Sequence, residues 1–482
     1  MMPRLSALLQ RDLASDPEIS GVTADSRKVR QGFLFVALPG SRADGRSFIP
    51  AALQAGAAAV LAPDDVSGLS APVVHASDLR RAYALAARAF YGAQPRTCVA
   101  VTGTNGKTSV AVFCRQVFER LGRSSASMGT LGVRAGDEQL TPPGLTTPDA
   151  ADVSRLLAEL AARGVTHLAL EASSHGVDQR RLDGVDLTAA GFTNLTQDHL
   201  DYHGTMGAYR AAKLRLFDTL LPRGGTAVLN ADSDAFPAFA SAAVSAGHAV
   251  MSVGEAGQGL RLLDRQLVPD GQRLRIETDG RTHDVRLPLA GAFQASNALV
   301  AAGLCIGAGE DAGAVLAALE HIEGAPGRLQ RVGSGPRGGE AYVDYAHTPD
   351  GLETVLKALR PHARGRLIVV FGAGGDRDRG KRPLMGQAAA SLADIAIVTD
   401  DNPRSEEPAS IRAAILAAAP GAREIGDRRQ AIGAAAAMLE DGDVLVIAGK
   451  GHEQGQIIQG EVHPFDDVAE AARALGLETA HG

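Results

Sequence analysis

The stretch from Val99 to Ser109, VAVTGTNGKTS, constrains the fold of this chain of 482 residues more than any other segment. Its first residues form a short β-branched run that predicts a buried strand, and a glycine-rich turn follows, ending in Gly106, Lys107 and Thr108. The residues after the turn, to about Leu121, have helical spacing. Because backbone N–H groups and the helix dipole converge on such a turn, the segment predicts a phosphate-binding loop in an α/β fold.

The side chains of this loop indicate a nucleotide ligand. Lys107 supplies a point charge for phosphate, and the Thr108 hydroxyl is suited to Mg²⁺. The loop departs from the strict pattern G-x-x-x-x-G-K-[ST], because Val101 takes the place of the first glycine and Gly103 opens a tighter turn. A glycine turn that merely connects a strand to a helix is the alternative. We expect ATP to bind here.

Composition narrows the class of protein. Hydrophobic residues make up 45% of the chain and charged residues 21%, values typical of globular domains, and the length predicts two or three of them. A net charge of −7 argues against a nucleic-acid or anionic-membrane surface. The three cysteines, Cys98, Cys114 and Cys305, are too far apart for a zinc site and suit a reducing compartment. The cysteine content therefore predicts a cytoplasmic protein. As separate expectations, the protein is a monomer and its partners are small molecules.

The order of the apolar runs predicts three α/β domains, over residues 1–95, 96–332 and 333–482. Strands alternate with amphipathic helices, which predicts parallel sheets covered by helices on both faces. The glycine- and arginine-rich stretch Gly333–Glu340 predicts a linker.

Individual elements can be predicted within these domains. Strands are expected at Gly32–Leu38 and Ala57–Ala62, and a helix at Ala150–Arg163. The apolar residues of one face of that helix are Val153, Leu156, Leu157 and Leu160.

Polar motifs follow six apolar runs, three in each of the last two domains. They are TGTNGKT at 102–108, EASSHG at 171–176, TNLTQDH at 193–199, GAGGDR at 372–377, TDDNPR at 399–404 and GKGHE at 449–453. Ligands of open α/β sheets bind outside the carboxyl ends of the strands. The placement therefore predicts two half-sites that face one cleft.

Single residues in these motifs allow both a chemical and an ordinary interpretation. Glu171, at a strand end, could bind Mg²⁺ or be a surface glutamate, and His199 could bind a metal or cap a helix. By composition alone, Lys213 is an ordinary helix lysine.

The segment from Asp401 to Arg404 has the chemistry to bind an amino-acid zwitterion. Arg404 can hold a carboxylate through two parallel hydrogen bonds, and Asp401 or Glu453 can bind the ammonium group. A surface turn with an exposed arginine is the alternative.

These motifs together resemble the Mur ligases, which build the stem peptide of peptidoglycan. The resemblance spans nearly the whole chain and also includes TADSR at 23–27, SRADGR at 41–46, TT at 146–147, DHLDYHG at 198–204, AAK at 211–213, NA at 297–298, GR at 327–328 and DYAH at 344–347. It implies an N-terminal uridine-nucleotide-binding α/β domain, a central parallel-sheet P-loop domain and a C-terminal Rossmann-like domain.

The resemblance also implies roles for residues at matching positions. Lys107, Lys213 and His199 would be catalytic, with Lys213 carboxylated by CO₂ to a carbamate. Mg²⁺ would be held by Thr108, Glu171, His199 and carbamylated Lys213. The residues implied for ATP are Gly103, Thr104, Asn105, Gly106, Lys107, Thr108, Asn297, Arg328 and Asp344.

Two further sets of residues are implied for the other substrates. The muramoyl dipeptide linked to UDP would be held by Ser26, Ser41, Thr146, Thr147, Ser173, Gln179 and Arg181. The third amino acid, meso-diaminopimelate, would be held by Arg377, Asp401, Asn402, Pro403, Arg404, Gly449 and Glu453. Leu145 departs from relatives that carry asparagine before the Thr-Thr pair, so no uracil or sugar contact is assigned to this position.

The implied reaction is the ATP-dependent ligation of meso-diaminopimelate to UDP-N-acetylmuramoyl-L-alanyl-D-glutamate through an acyl phosphate. Within the ligases, the alternatives are L-lysine as acceptor and a folylpolyglutamate-synthase-like enzyme. Outside them, the alternatives are a P-loop NTPase switch that acts on a partner and a nucleotide-binding scaffold without catalysis.

Overall fold

The computed structural model describes residues 2–40, 44–268 and 271–477. The chain divides into two compact units, each built from three segments. Unit 1 comprises Met1–Leu262, Glu277–Arg281 and Leu299–Ala318, and unit 2 comprises Leu263–Ile276, Thr282–Ala298 and Leu319–Gly482. Among the predicted site residues, Ser41 lies outside the described residues.

The N-terminal part of unit 1 is a small parallel sheet with three helices. Its elements are α1 Leu5–Leu9, β1 Gly21–Thr23, β2 Phe33–Val36, α2 Ile49–Gln54, β3 Ala59–Ala62, β4 Val73–His75 and α3 Leu79–Tyr91. The strands lie in the order β1-β2-β3-β4, and all three pairings are parallel. The strands predicted near residues 32–38 and 57–62 are thus confirmed as β2 and β3.

The larger part of unit 1 alternates strands and helices. Its elements are β5 Thr97–Thr102, α4 Lys107–Arg120, β6 Ser125–Gly129, β7 Gly132–Ala135, β8 Glu138–Thr141, α5 Ala150–Ala162, β9 His167–Glu171, α6 Ser174–Asp178, β10 Ala189–Phe192, α7 Leu200–His203, α8 Met206–Arg215, a π-helical turn Leu216–Leu220, β11 Thr226–Asn230, α9 Phe236–Ser245 and β12 Ala249–Gly254. Helix α5 confirms the predicted helix, and all four residues of its predicted apolar face are buried.

The strands of this part form one sheet in the order β12-β11-β10-β5-β9-β6-β7-β8. The pairings from β12 to β6 are parallel, and those of β7 with β6 and β8 are antiparallel. Because β9, β5 and β10 are neighbours, the motifs that follow them meet at one edge of the sheet. This confirms the placement predicted for the first three motifs.

The next elements contain the points at which the chain passes between the two units. They are β13 Leu260–Val268, β14 Gly271–Thr278, β15 Arg281–Leu287, α10 Ala292–Gly307 and α11 Ala312–Ala318. The half of α10 in unit 1 covers a face of the sheet, where Val300 and Leu304 lie against Gly191 and Gly303 lies against Val228.

The rest of unit 2 is a second, mostly parallel sheet covered on both faces. Its elements are β16 Gln330–Ser334, β17 Glu340–Asp344, α12 Pro349–Leu359, β18 Leu367–Phe371, α13 Lys381–Leu392, β19 Ile395–Val398, α14 Pro408–Leu416, β20 Arg423–Glu424, α15 Arg428–Ala436, β21 Val444–Ala448, β22 Gly455–Ile458, β23 Glu461–Pro464 and α16 Asp467–Ala474. The sheet order is β16-β17-β21-β18-β19-β20, and β22 and β23 form a separate antiparallel hairpin. Alternate strand residues pack on α12, α13 and α14 on one face and on α15 and α16 on the other, as predicted.

The prediction of a linker at Gly333–Glu340 is wrong for part of that segment. Residues 330–334 and 340–344 pair as the antiparallel strands β16 and β17. Gly338 and Gly339 have φ values of +86° and +77°, so they form the tight turn between the strands. The glycines that suggested a flexible connection are therefore the turn of a hairpin.

Candidate active site

The glycine-rich loop folds back on its own lysine. Lys107 is the first residue of α4, and its Nζ donates hydrogen bonds to the carbonyl oxygens of Gly103 at 2.9 Å and Thr104 at 2.8 Å. Gly103 has φ +152°, and a Cβ there would lie 1.9 Å from the Thr193 hydroxyl. Only glycine therefore fits at the position where the loop opens, although the strict motif places its first glycine elsewhere.

Lys213 reaches the same loop from α8. Its Nζ donates a hydrogen bond to the Gly103 carbonyl at 2.7 Å and lies 4.4 Å from the centre of the Tyr209 ring. The residue is 1% exposed. Burial, and secondly the positive charge of Lys107, lower the pKa of Lys213 well below its ordinary value. A buried amine with a lowered pKa is unlike the ordinary helix lysine that composition suggests.

Glu171 is held by hydroxyl and backbone donors at the end of β9. Its Oε2 accepts a hydrogen bond from the Thr108 hydroxyl at 3.0 Å, and its Oε1 accepts one from the Thr130 N–H at 2.9 Å. The Thr130 hydroxyl also donates to Oε2, at 3.3 Å. A Cβ at Gly129 would lie 2.0 Å from Oε1, so glycine is required for this approach. The structure thus joins two predicted metal ligands, Thr108 and Glu171.

His199 lies among aromatic and histidine rings near α7. Its ring centroid is 4.9 Å from that of His175 and 6.2 Å from that of Tyr209. Burial lowers the pKa of both His175 and His203, which favours neutral imidazoles. Within residues 2–40, 44–268 and 271–477, no group of three or more His, Cys, Asp or Glu side chains could hold a metal ion. This finding does not test the predicted ligand set, because two of its members, the Thr108 hydroxyl and a carbamate on Lys213, are not among those four side-chain types. The set therefore stays a prediction.

Five residues predicted for the muramoyl dipeptide form a connected network. Thr147 Oγ1 donates to the Glu171 carbonyl at 2.9 Å and accepts from the Ser173 N–H at 3.1 Å. Arg181 donates to the Thr147 carbonyl at 2.6 Å and to Gln179 Oε1 at 2.7 Å.

The fifth residue extends this network towards Glu171. The hydroxyls of Thr146 and Thr130 lie 2.9 Å apart, so the network continues to the carboxylate that Thr130 holds. The neighbouring Leu145 is 68% exposed. The remaining described residue of the set, Ser26, lies apart in the sequence, in a short 3₁₀ turn capped by Asp25.

The three nucleotide residues predicted in unit 2 also come together. Asn297 donates to Gln294 Oε1 at 3.0 Å, and Gln294 donates to the Arg328 carbonyl at 3.2 Å. Asp344, at the end of β17, accepts hydrogen bonds from two backbone N–H groups, at Leu329 and Ala346. Burial nevertheless raises the pKa of Asp344 to about 6.

The turn after β19 joins most of the residues predicted for the amino acid. Asn402 Nδ2 donates to Glu453 Oε2 at 2.9 Å. The Arg404 guanidinium donates to the Gly375 carbonyl at 2.9 Å, and its backbone has φ +54°. Pro403 is buried between Asn402 and Arg404, and its ring restricts the backbone of the turn.

Two other predicted positions border this turn. A Cβ at Gly449 would lie 2.3 Å from Asp401 Oδ2, so the backbone after β21 approaches the turn closely. Arg377 is exposed on the loop after β18. The carboxyl ends of β18, β19 and β21 thus bring the last three motifs to one edge, as predicted.

Comparisons with known proteins place the chain. Residues 18–91 match the Mur ligase family catalytic domain, residues 101–305 the Mur ligase middle domain and residues 327–451 the Mur ligase glutamate ligase domain. Over 481 residues the chain is 72% identical to the UDP-N-acetylmuramoyl-L-alanyl-D-glutamate--2,6-diaminopimelate ligase of Caulobacter vibrioides, covering 98% of this chain and 99% of the relative. The chain belongs to the Mur ligase family.

Other relatives also match this Mur ligase over nearly its full length. The protein of the same description from Bradyrhizobium diazoefficiens is 54% identical, covering 99% of this chain and 100% of that one. A solved structure of a UDP-N-acetylmuramoyl-L-alanyl-D-glutamate--2,6-diaminopimelate ligase is 35% identical, with a TM-score of 0.75 and 99% of each chain covered. The three-domain Mur ligase architecture is therefore confirmed, and the chain is an ATP-dependent ligase. The predicted domain boundaries stay predictions.

Sequence reasoning missed two side chains that support the site of this Mur ligase. Thr130 holds Glu171, and Lys450, inside the GKGHE motif, donates to Asn402 Oδ1 at 2.8 Å. Thr130 belongs to none of the quoted motifs, so the sequence offered no signal for it. Lys450 had a signal, because a lysine between two glycines after an apolar run is unusual for a surface position.

Proposed function

We propose that this Mur ligase joins meso-diaminopimelate to UDP-N-acetylmuramoyl-L-alanyl-D-glutamate with consumption of ATP, the step that adds the third residue of the peptidoglycan stem peptide. The observation that carries the choice of acceptor is the turn at 401–404, where the Arg404 guanidinium donates to the Gly375 carbonyl and Asn402 donates to the carboxylate of Glu453. The names of full-length relatives at 72% and 54% identity support the same assignment.

The glycine-rich loop is proposed to hold the phosphates of ATP. Lys107 would exchange its bonds to the Gly103 and Thr104 carbonyls for bonds to phosphate oxygens, and the N–H groups at the start of α4 would donate to the same anion. The γ-phosphate then passes to the D-glutamyl carboxylate: a bond forms between carboxylate oxygen and phosphorus, the bond to the β-phosphate oxygen breaks, and ADP leaves. Asn297, Arg328 and Asp344 are the proposed further contacts to the nucleotide.

The residues around Glu171 fit Mg²⁺, because Thr108 and Glu171 offer hard oxygen ligands 3.0 Å apart. His199 and a carbamate on Lys213 would complete the set. The lowered pKa of Lys213 favours the neutral amine, whose nitrogen can bond to CO₂ and release a proton. When bound, Mg²⁺ would neutralise charge on the phosphoryl group in transfer.

The turn at 401–404 is proposed to select the acceptor. Arg404 can hold the carboxylate at the distal centre of meso-diaminopimelate, and Asp401 and Glu453 can bind an ammonium group. L-Lysine lacks that carboxylate and would leave Arg404 unpaired, an arrangement that discriminates by orders of magnitude. The amine of the acceptor attacks the acyl phosphate carbon, the amide bond forms, and phosphate leaves. No side-chain nucleophile is needed, so the protein acts by positioning and charge.

The Thr146 to Arg181 network is proposed to hold the muramoyl dipeptide, and Ser26 and Ser41 are proposed to hold the uridine nucleotide linked to it. All three cysteines are buried and unpaired, which suits the cytoplasm, and we propose that the protein works there as a monomer. Within the described ranges, which omit residues 1, 41–43, 269–270 and 478–482, the structure contains no helix that could span a membrane.

The test is phosphate release from ATP with the UDP-linked dipeptide, comparing meso-diaminopimelate with L-lysine and recording product mass. Release that depends on meso-diaminopimelate, with the tripeptide mass, would support the proposal. Release with lysine alone would overturn the choice of acceptor. Release without any amino acid would favour an NTPase switch, no release from ATP would favour a scaffold, and turnover of a folate substrate would favour the alternative ligase.

Arg404→Ala makes the test specific to the turn. We expect the KM for meso-diaminopimelate to rise about 100-fold, because a charged bidentate contact is lost, while the KM for ATP stays within about twofold. Arg379→Ala, at an exposed arginine paired with Glu406, is the matched control and should leave both constants unchanged. Equal small effects on the two KM values would remove Arg404 from the acceptor site.

A further inference from the structure

A completely buried lysine lies behind the proposed acceptor turn. Lys450 follows β21 by two residues, and its side chain is 0% exposed. Its ammonium group donates hydrogen bonds to Asn402 Oδ1 at 2.8 Å and to the Gly455 carbonyl at 2.7 Å. The carboxylates of Asp401 and Glu453 each come within 4.0 Å of it. The proposed reaction gives this cation no direct part.

The first consequence concerns the amide of Asn402. Its Oδ1 accepts from Lys450 and also from the Ile457 N–H, at 2.9 Å. Since two donors face this oxygen, the NH₂ group of Asn402 must point the other way, where it donates to Glu453 Oε2. The ammonium of Lys450 therefore fixes which end of the Asn402 amide meets Glu453.

The second consequence concerns the hairpin of β22 and β23. Lys450 holds its first residue, Gly455, and the hairpin in turn holds the backbone of Arg404 on both sides. The Arg404 N–H donates to the Ile457 carbonyl at 3.0 Å, and the Gln459 N–H donates to the Arg404 carbonyl at 2.7 Å. Arg404 has φ +54°, a conformation that a non-glycine residue adopts at a cost, so these bonds stabilise it.

The cost of burying Lys450 argues for a role beyond packing. Removing an ammonium group from water is expensive, and a buried ionic group is often no more stabilising than a well-packed apolar side chain. What the cation adds is orientation, because each of its hydrogen bonds fixes a group of the turn or of the hairpin beside it.

We propose that Lys450 is a positioning residue for the acceptor amino acid, orienting Glu453 through the Asn402 amide and Arg404 through the β22–β23 hairpin. The inference rests on the proposed function, since it assigns these groups to the acceptor. Because its side chain is 0% exposed, Lys450 would not touch the acceptor. Its loss should therefore weaken acceptor binding and acceptor discrimination while the nucleotide constants are unchanged.

The test compares steady-state constants of the full-length wild type and of Lys450→Met, which keeps the length of the side chain without charge. We expect the KM for meso-diaminopimelate to rise roughly 10- to 100-fold, the range in which hydrogen bonds to charged groups change equilibrium constants. The KM values for ATP and for the UDP-linked dipeptide should stay within about twofold. The ratio of kcat/KM for meso-diaminopimelate to that for L-lysine should fall about tenfold or more.

A double-mutant cycle distinguishes positioning from a general loss of stability. If Lys450 acts largely through Asn402, the effect of Lys450→Met on the acceptor KM should shrink to about threefold or less in an Asn402→Ala background. Full additivity of the two effects would overturn the relay through Asn402. Lys450→Gln retains a donor and should show an intermediate effect; it replaces Lys450→Met if that variant does not fold, as judged by its thermal midpoint.

The outcomes also separate this inference from the proposed function. A wild type that does not ligate meso-diaminopimelate would refute the proposed function. A wild type that does so, with an acceptor KM unchanged in both lysine variants or with acceptor and ATP constants equally impaired, would refute the positioning role alone.

Discussion

Thr130 illustrates how single side chains outside the motifs support this site. Its N–H and hydroxyl hold both oxygens of Glu171, and its hydroxyl lies 2.9 Å from that of Thr146. A carboxylate that binds a metal is oriented by such hydrogen-bond partners, and their loss typically weakens metal binding 10- to 100-fold. Thr130 therefore connects the proposed metal ligand to the proposed dipeptide network.

Thr130→Val is expected to weaken Mg²⁺ or Mn²⁺ binding by about tenfold, at the lower end of that range because the N–H donor remains. The measurement is Mn²⁺ titration of the ADP-bound enzyme by electron paramagnetic resonance, with no turnover involved. Thr130→Ser keeps the hydroxyl and should bind within about twofold of wild type. Equal Mn²⁺ affinities in the valine and serine variants would contradict this role.

Asp344 gives a prediction about pH. Its pKa is raised to about 6 by burial, so the carboxylate is ionised above that pH and neutral below it. Asp344→Asn is neutral at every pH. If the ionised carboxylate accepts a hydrogen bond from the nucleotide, wild type should bind ADP more tightly than the variant at pH 8, and this advantage should be lost at pH 5. The ratio of the ADP dissociation constants of variant and wild type should therefore fall about tenfold between pH 8 and pH 5.

The measurement is calorimetric ADP binding at constant excess Mg²⁺. Titration of the nucleotide's own phosphates affects both proteins equally and cancels in the ratio. A ratio independent of pH would show that the ionisation of Asp344 does not affect nucleotide binding.

At the scale of elements, a buried ion pair joins α15 to α16. Arg428 and Asp467, the first residues of these helices, are fully buried and form two hydrogen bonds, at 2.7 and 2.6 Å. Asp467→Leu leaves the guanidinium buried without its partner, so we expect the free energy of unfolding to fall by about 3–5 kcal/mol.

Urea unfolding followed by circular dichroism measures this effect. Adding Arg428→Met to Asp467→Leu removes the unpaired charge and should recover most of the loss. The exposed pair of Lys357 and Glu353 is the control, and Glu353→Ala should cost less than about 0.5 kcal/mol. If the double variant loses as much unfolding free energy as Asp467→Leu alone, then altered packing, rather than the unpaired charge, causes the loss.

The elements differ in how far sequence predicts them. The strand, loop and helix from β5 to α4 could be predicted, because the apolar run and the glycines that specify them lie within about a dozen consecutive residues. The β22–β23 hairpin could not. Its turn is Gln459-Gly460, with φ values of +50° and +84°, and glutamine seldom occupies the first of these positions. The bonds that hold the hairpin to Arg404 are tertiary contacts, which leave no local pattern.

The same distinction applies to the site. The motifs predicted the residues at strand ends, because a parallel sheet brings its carboxyl ends together. They did not predict Thr130 or the partners of Lys450, since these depend on the path of neighbouring loops. The sequence predicted that Lys107 lies in a phosphate-binding loop, but it did not predict the hydrogen bonds from its Nζ to the Gly103 and Thr104 carbonyls.

At the scale of the whole molecule, the two units are interleaved along the chain. Unit 2 takes residues 263–276, 282–298 and 319–332 from the region before the predicted boundary at 332/333. Ala290 and Leu329 belong to the same core as Leu352 and Val446 of the C-terminal sheet. A cut at that boundary would therefore remove part of the core of unit 2.

We expect the fragment 333–482 to lack a cooperative unfolding transition, whereas a fragment 263–482, which contains every segment of unit 2, should show one. Thermal unfolding and limited proteolysis of both fragments provide the measurement. Identical, cooperative behaviour of the two fragments would mean that the segments before residue 333 are dispensable for unit 2.

The position of α10 has a consequence for the protein during its synthesis. The residues of α10 that cover the central sheet, Val300 to Gly307, are made about 70 to 120 residues after Val228 and Gly191, which at 5–20 residues per second is a delay of roughly 4–23 s. During that interval the apolar surface around Gly191 and Val228 has no covering helix on the nascent chain. The growing polypeptide should therefore need chaperone protection on the ribosome until residue 307 has emerged.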